Sequence, residues 1–525
     1  MTASTPPVSA ATLLAADPHA PDGPAAPPHP DGADPHALAE VWDSVPLHLR
    51  LFCNRTLNLR AIKAIGYDMD YTLIHYHVRE WEGRAYAHIR QRLLSQGWPV
   101  GGLSFEPERV MRGLIIDKQL GNLLKVNRFG YVKASMHGTR PLTMDEQRQF
   151  YTGTLVDLAD TARYVFLNTL FEMSEGCMYA QLIDLLDDRQ LPDVMGYDAL
   201  YKKVRHALDR AHVEGELKAE ILANPEMYVD LDPALPLTLL DQKEAGKKLL
   251  LITNSEWSYT NSMMTYAFDR FLPPGQTWRD LFAMVVVSSR KPAFFHSANM
   301  MFEVVGDEGP TLRPVEGAPV EGGAYFGGRA ELVEKALGVD GDQILYIGDH
   351  MFGDVHQSKK LLRWRTALIL RELEDELHAI DGWRENQKKV DTLMREKERL
   401  EYAFSQLRIL RQRHRGGYGP LAQQAGVTQE THAERLRNVQ DQMNVLRDRL
   451  VQLDNQIAPL VAGAGQIHNR HWGLMMRAGN DKSLFARQVE HHADVYTSRV
   501  SNFCYETPFV FLRSLRGSLP HDHEP

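Results

Sequence analysis

Five apolar runs of strand length restrict this chain more than any other feature: IKAIGY (62–67), KLLLIT (248–253), MVVV (284–287), ILYIG (344–348) and TALIL (366–370). Amphipathic, helix-patterned stretches separate them. Runs that are apolar throughout belong to strands buried on both faces, so the pattern predicts an α/β fold with a parallel sheet covered by helices on both sides. Ligands of such sheets sit beyond the carboxyl ends of the strands, where the strand order reverses. Here the polar clusters fall at those ends. Asp68 and Asp70 follow the first run, Thr253, Asn254 and Ser255 close the second, Lys291 follows the third, and Asp349 and Asp354 follow the fourth.

Each cluster alone has an ordinary reading: a solvated turn for Asp-x-Asp, a helix cap for Thr253, a surface lysine for Lys291. Together they fit one chemical problem. A carboxylate attacking a phosphate monoester opposes an anion to a dianion, so the site needs positive charge. Mg2+ takes oxygen ligands and tolerates substrate phosphate among them. Asp68 and Asp349 supply side-chain oxygens for it, and Asp70 a backbone carbonyl. Lys291 and the Thr253 hydroxyl would hold the phosphoryl oxygens, with Asn254 beside them. Asp68 could then attack phosphorus, while Asp70 protonates the leaving oxygen and later deprotonates water.

Composition excludes several alternatives. At 525 residues the chain exceeds one compact core, and its formal net charge of −9 argues against nucleic-acid binding. Cys53, Cys177 and Cys504 are too few and too scattered for a disulfide framework or a zinc site, which favours a reducing, cytoplasmic setting. No apolar run reaches membrane-spanning length.

The motifs GYDMDYTL, TNSEWSYTNSMMTYAFD, RKPAFF and YIGDHMFGDVHQSKK are similar to those of haloacid dehalogenase-like phosphohydrolases. With GNLLKVNRFGY, FLNTLF, WRTALILRELEDELH and ADVYTSRVSNFCYETPF, the chain resembles the cytosolic purine 5′-nucleotidase family over about residues 48 to 521. The resemblance implies a Rossmann-like core, an aspartyl-phosphate mechanism, Mg2+, and a purine nucleoside monophosphate such as IMP or GMP as substrate. It gives Asp354 the task of orienting the metal site from behind its ligands. It also makes Phe171 the base-stacking residue, and Arg205, Asp209, His212 and Lys218 the readers of base and sugar. Arg205, Asp209 and His212 are spaced to share one helix face.

Some positions depart from the family. Val213 replaces an aromatic of the base pocket, Leu158 an effector-associated arginine, and His491 and His492 an arginine–tyrosine pair, while Asn168, Phe352 and Gln488 remain. These changes argue against activation by adenine nucleotides and leave hydrolysis untouched. The competing readings are a phosphatase or phosphotransferase for another phosphorylated metabolite, and a non-catalytic interaction protein. The second conflicts with intact Asp68 and Asp70.

The expected organisation is a disordered tail (1–36), a catalytic core (37–76 and 241–371), a mostly helical cap insertion that selects the leaving group (77–240), a coiled-coil-like helical hairpin (372–460) and a C-terminal segment packed on the core (461–525). The hairpin seams run through Val390, Leu393, Leu400, Phe404 and Leu407, and through Leu436, Val439, Met443, Leu446, Leu450, Leu453 and Ile457. The resemblance suggests a homo-oligomer, a dimer or tetramer.

Overall fold

The computed structural model describes residues 42–193, 195–213, 215–306, 311–419 and 429–515, without the side chains of 211–213 and 429–432. The expected tail lies outside the described residues. Two compact units result, Glu376–Leu474 and the remainder.

The larger unit is built on a ten-stranded sheet. Its order is Phe52–Cys53, Val495–Thr497, Arg365–Ile369, Ile344–Gly348, Ala64–Tyr67, Lys248–Ile252, Met284–Val287, Ala324–Gly327, Met301–Val305 and Thr311–Pro314. From Val495–Thr497 to Ala324–Gly327 all neighbours are parallel, and the remaining pairs are antiparallel. Ala64–Tyr67 is the pivot. The next strands in sequence add outward on one side of it, and then Ile344–Gly348 adds on the other. The carboxyl ends of Ala64–Tyr67 and Ile344–Gly348 therefore flank the point of reversal, with Tyr67 paired to Ile347. Leu250, Ile252, Val286, Phe294, Tyr346 and Trp364 pack into the core beside it, none more than 1% exposed.

Gly66 and Gly348 permit two close approaches. A Cβ on Gly66 would lie 2.8 Å from the Tyr346 ring, and one on Gly348 would lie 2.5 Å from the Asp354 carboxylate. Both glycines sit where the sheet meets the residues of interest below.

The insertion between the first and second central strands combines helices with a small sheet that its sequence does not announce. Its helices include Val78–Ser95, Met173–Asp187, Tyr197–Val213 and Glu216–Ala223. Its first half also carries a five-stranded antiparallel sheet, ordered Arg140–Pro141, Val132–His137, Asn122–Val126, Ile115–Asp117 and Tyr164–Phe166. Ile115–Asp117 and Asn122–Val126 are buried at every position and the other strands are short or partly exposed, so no alternation develops in the sequence. The C-terminal segment likewise supplies a strand of the main sheet, Val495–Thr497, which no apolar run announces.

The second unit pairs two long helices, Leu373–Gly416 and Gln429–Ala464. Lys397 meets Asp454 at 2.6 Å, Arg449 meets Glu396 at 2.6 Å, and Arg411 donates to Gln440 at 2.7 Å. Between the Glu396–Lys397 turn and Arg411 the partners move back from 449 and 454 to 440, so the pair is antiparallel. Val390, Val439, Met443, Leu453 and Ile457 are buried.

Candidate active site

The first strand delivers Asp68 straight from the sheet. Its backbone N–H still donates to Ile347 O at 2.9 Å, and its Oδ1 accepts from Met69 N at 2.7 Å. The chain then turns sharply, with the N–H groups of Leu73 and Ile74 both donating to Met69 O at 2.9 Å. Tyr71 takes a left-handed φ of 54° in this turn, uncommon for a residue with a side chain. The strain puts Asp70 beside Asp68 but on different partners. Asp70 Oδ1 accepts from the Tyr76 hydroxyl at 2.5 Å, and Oδ2 from the Ser255 hydroxyl at 2.7 Å.

Lys291 is presented by a loop containing two more left-handed residues, Ser288 (47°) and Arg290 (59°). Asn254 secures that loop: its Oδ1 accepts from Lys291 N at 2.6 Å and from Ser289 Oγ at 3.0 Å, and its Nδ2 donates to Lys291 O at 3.2 Å. The Lys291 ammonium reaches Asp68 at 2.7 Å, Asp354 at 2.8 Å and the Tyr346 hydroxyl at 3.0 Å. Thr253 is fully buried, and its Oγ1 accepts from Ser255 N at 3.0 Å.

Asp349 closes the group. Its carboxylate accepts from Thr169 Oγ1 at 3.1 Å, and its backbone carbonyl accepts from Arg112. Arg112 also donates to Asn168 O at 2.9 Å and to Glu372 at 3.3 Å, which ties the Asp349 loop to the insertion. Asp354 Oδ2 accepts from His350 N at 3.2 Å.

Carboxylate oxygens of Asp68, Asp349 and Asp354, all buried, lie within 4.8 Å of one another. Three carboxylates thus face one ammonium. Burial pushes the Asp68 carboxyl well up, with Lys291 opposing the rise and the neighbouring Asp354 and Asp349 adding to it. Burial likewise raises Asp349 to about 7, opposed by Arg112 and reinforced by Asp354. For Lys291, burial alone would lower the pKa, but Asp354 and Asp68 hold it well above its ordinary value. Both partners of the Asp68–Lys291 pair move up, Asp68 chiefly through burial and Lys291 because two carboxylates face it. A small divalent cation with oxygen ligands suits that donor set. Asp354 is as much a member of the cluster as Asp68 and Asp349, whereas the Asp70 side chain is not and has only its backbone carbonyl to offer.

In the insertion, Arg205 pairs with Glu175 at 2.8 Å and with Asp209 at 3.1 Å. Glu175 is fully buried, and Arg205 and Asp209 keep 44% and 55% of their side chains exposed. Phe171 sets its ring edge-on to Tyr71 at 4.7 Å and to Trp81 at 5.6 Å. Lys218 donates to Ser255 Oγ at 3.2 Å, linking the insertion directly to Asp70's partner. The His212 side chain lies outside the described residues. Tyr76, Ser255, Thr169 and Arg112 join the site beyond the residues expected from the sequence. Ser255 had a signal, its place in the TNS cluster after the second run; the other three have none in the sequence.

Among described residues, no helix is long and apolar enough to cross a membrane. A 5′-nucleotidase domain-containing protein of Dictyostelium discoideum is 25% identical over 486 residues, covering 90% of this chain and 74% of that one. Solved structures with a looser likeness include a predicted phosphoglycolate phosphatase from Haemophilus somnus, 12% identical with a TM-score of 0.27, covering 59% of this chain and 85% of that one. An archaeal β-phosphoglucomutase from a Pyrococcus strain is 10% identical with a TM-score of 0.27, covering 59% and 86%. The model of the 5′ nucleotidase family matches residues 51–524, so the chain belongs to that family and is a phosphoric monoester hydrolase.

Proposed function

We propose that the enzyme is a magnesium-dependent 5′-nucleotidase for purine nucleoside monophosphates, IMP or GMP, and that it works through a phosphoryl group carried on Asp68. The observation that carries this reading is the buried group of Asp68, Asp349, Asp354 and Lys291 at the reversal of the sheet. Asp68 attacks phosphorus as the bond to the nucleoside O5′ breaks, and Asp70 gives that oxygen its proton. Water then attacks the phosphoryl group, Asp70 takes a proton back, and phosphate leaves Asp68. Lys291 and the Thr253 hydroxyl hold the phosphoryl oxygens as charge spreads over them. Asp68, Asp349 and the Asp70 carbonyl, with Asp354 alongside, would hold Mg2+, which supplies charge against the phosphate dianion.

Phe171, Arg205, Asp209, His212 and Lys218 form the leaving-group side of the site in this reading. Arginine with aspartate offers donors and an acceptor to the O6 and N1 edge of a 6-oxopurine, the pattern that adenine reverses. Phosphate release measured across a nucleotide panel, with and without Mg2+, tests the whole reading. IMP and GMP should exceed AMP by roughly tenfold in kcat/KM, the ratio that one unsatisfied polar group produces. Asp209→Ala should narrow that gap by lowering activity on IMP. Equal wild-type rates, or a preference for a pyrimidine or sugar phosphate, would remove the purine assignment. Asp68→Asn should abolish release altogether, and wild-type turnover in that variant would remove the mechanism.

A further inference from the structure

Asp70 sits in a ring of hydroxyl and amine groups, of which only Lys218 has a part in the reading above, on the leaving-group side. The Tyr76 hydroxyl, at 2.5 Å from Oδ1, is itself 3.1 Å from the Tyr259 hydroxyl. The Ser255 hydroxyl, at 2.7 Å from Oδ2, is 3.2 Å from Lys218 Nζ. Lys218 closes the ring by lying 4.7 Å from the centre of the Tyr259 ring. Both tyrosines are buried, at 3% and 1% exposure, and Tyr76 is wedged against Trp81 at 4.2 Å and Tyr71 at 5.2 Å.

We propose that Tyr76 and Ser255 are positioning residues for proton transfer by Asp70, and that Tyr259 and Lys218 couple that setting to the seating of the insertion. The inference rests on the role given to Asp70 under the proposed function. A carboxylate can rotate about its Cβ–Cγ bond, and each rotation moves the oxygen that must face the leaving group. One donor on each oxygen stops the rotation and leaves a lone pair on each for the proton. Phenol and serine donors differ in kind, so the two oxygens are also made unlike one another. Lys218 touches both arms, and it comes from the insertion helix Glu216–Ala223. A displaced insertion would therefore loosen both donors at once.

The consequence is specific to leaving groups that need a proton. The test measures kcat/KM on full-length protein for the best nucleotide of the panel and for a series of aryl phosphates from p-nitrophenyl to phenyl phosphate. Asp70→Asn sets the limiting case, a steep fall in rate as the leaving oxygen becomes more basic. Tyr76→Phe removes one oxygen and keeps the ring packing. It should give an intermediate slope, losing on the order of tenfold more on the nucleotide than on p-nitrophenyl phosphate, within the ~10²–10⁴-fold that positioned proton transfer supplies. Tyr259→Phe should move the slope the same way by less. Ser255→Ala provides an independent reading if Tyr76→Phe folds poorly, and Ser255→Thr should restore the wild-type slope.

A uniform loss across the series in Tyr76→Phe and Ser255→Ala would mark a merely structural role and overturn the inference. So would a wild-type slope with no loss. The result separates from the parent reading, because a steep Asp70→Asn slope beside wild-type-like slopes in Tyr76→Phe and Ser255→Ala removes only the positioning claim. A shallow slope in Asp70→Asn removes both.

Discussion

Lys291 is the residue on which the buried charges depend, since its ammonium lies within 2.8 Å of both Asp68 and Asp354. Lys291→Met should lower stability by about 3–5 kcal/mol in chelator, the cost of stranding buried carboxylates. Denaturant unfolding would show it. Wild-type protein should melt higher in Mg2+ than in chelator, by about 2.7 kcal/mol at a hundredfold excess over Kd. Asp349→Asn should remove most of that difference; an undiminished shift would place the ion elsewhere. His492 gives a separate, pH-dependent expectation. Burial holds its imidazole down to about 3, and His356, His491, Lys359 and Arg55 all push the same way. Its folded pKa lies below its unfolded value of about 6.5, so its contribution to stability is complete above that pH. It is lost progressively as pH falls from about 6.5 towards about 3. Melting temperature measured from pH 7 to 4 should fall less steeply in His492→Gln than in wild type.

Within the elements, burial separates side chains that matter from those that do not. Leu453 in the Gln429–Ala464 helix is fully buried, whereas Val445 on the same helix is 69% exposed. Leu453→Ala should cost about 2–5 kcal/mol and Val445→Ala within about 0.5 kcal/mol in a monomer. Urea unfolding of both variants checks this, and a large Val445 effect would identify a covered surface. Gly348→Ala should impair catalysis more than stability alone would explain, because its Cβ would occupy the space of the Asp354 carboxylate. The same elements show what could be read beforehand. ILYIG is buried end to end and KLLLI from Leu249 onward, and continuous burial leaves a continuous apolar signature. Met301–Val305 is only partly buried and Thr311–Pro314 is exposed throughout, so neither strand has such a signature. Asp68, Lys291 and Asp349 could be found because each follows a legible strand. Arg112 and Thr169 come from an insertion whose local sequence says nothing of the distant loop they hold, and Tyr76 looks like any core aromatic.

At the scale of the whole molecule, one reversal in strand order gathers residues from four widely separated stretches into a single crevice. The sheet holding them is not completed where the last legible strand ends. Val495–Thr497 inserts between Arg365–Ile369 and Phe52–Cys53, and Asp494 just before it accepts from Arg365 at 2.9 Å and from Thr366 N at 3.1 Å. A protein truncated after residue 474 should therefore expose the Arg365–Ile369 edge and aggregate, which light scattering of the purified fragment would detect. During synthesis the consequence is one of timing. Strands emitted early must wait, with an open parallel edge, until the long helical pair and the segment beyond it have left the ribosome. Docking so remote in sequence is slow, so the nascent chain passes through a stage at which crowding and chaperone supply govern its yield.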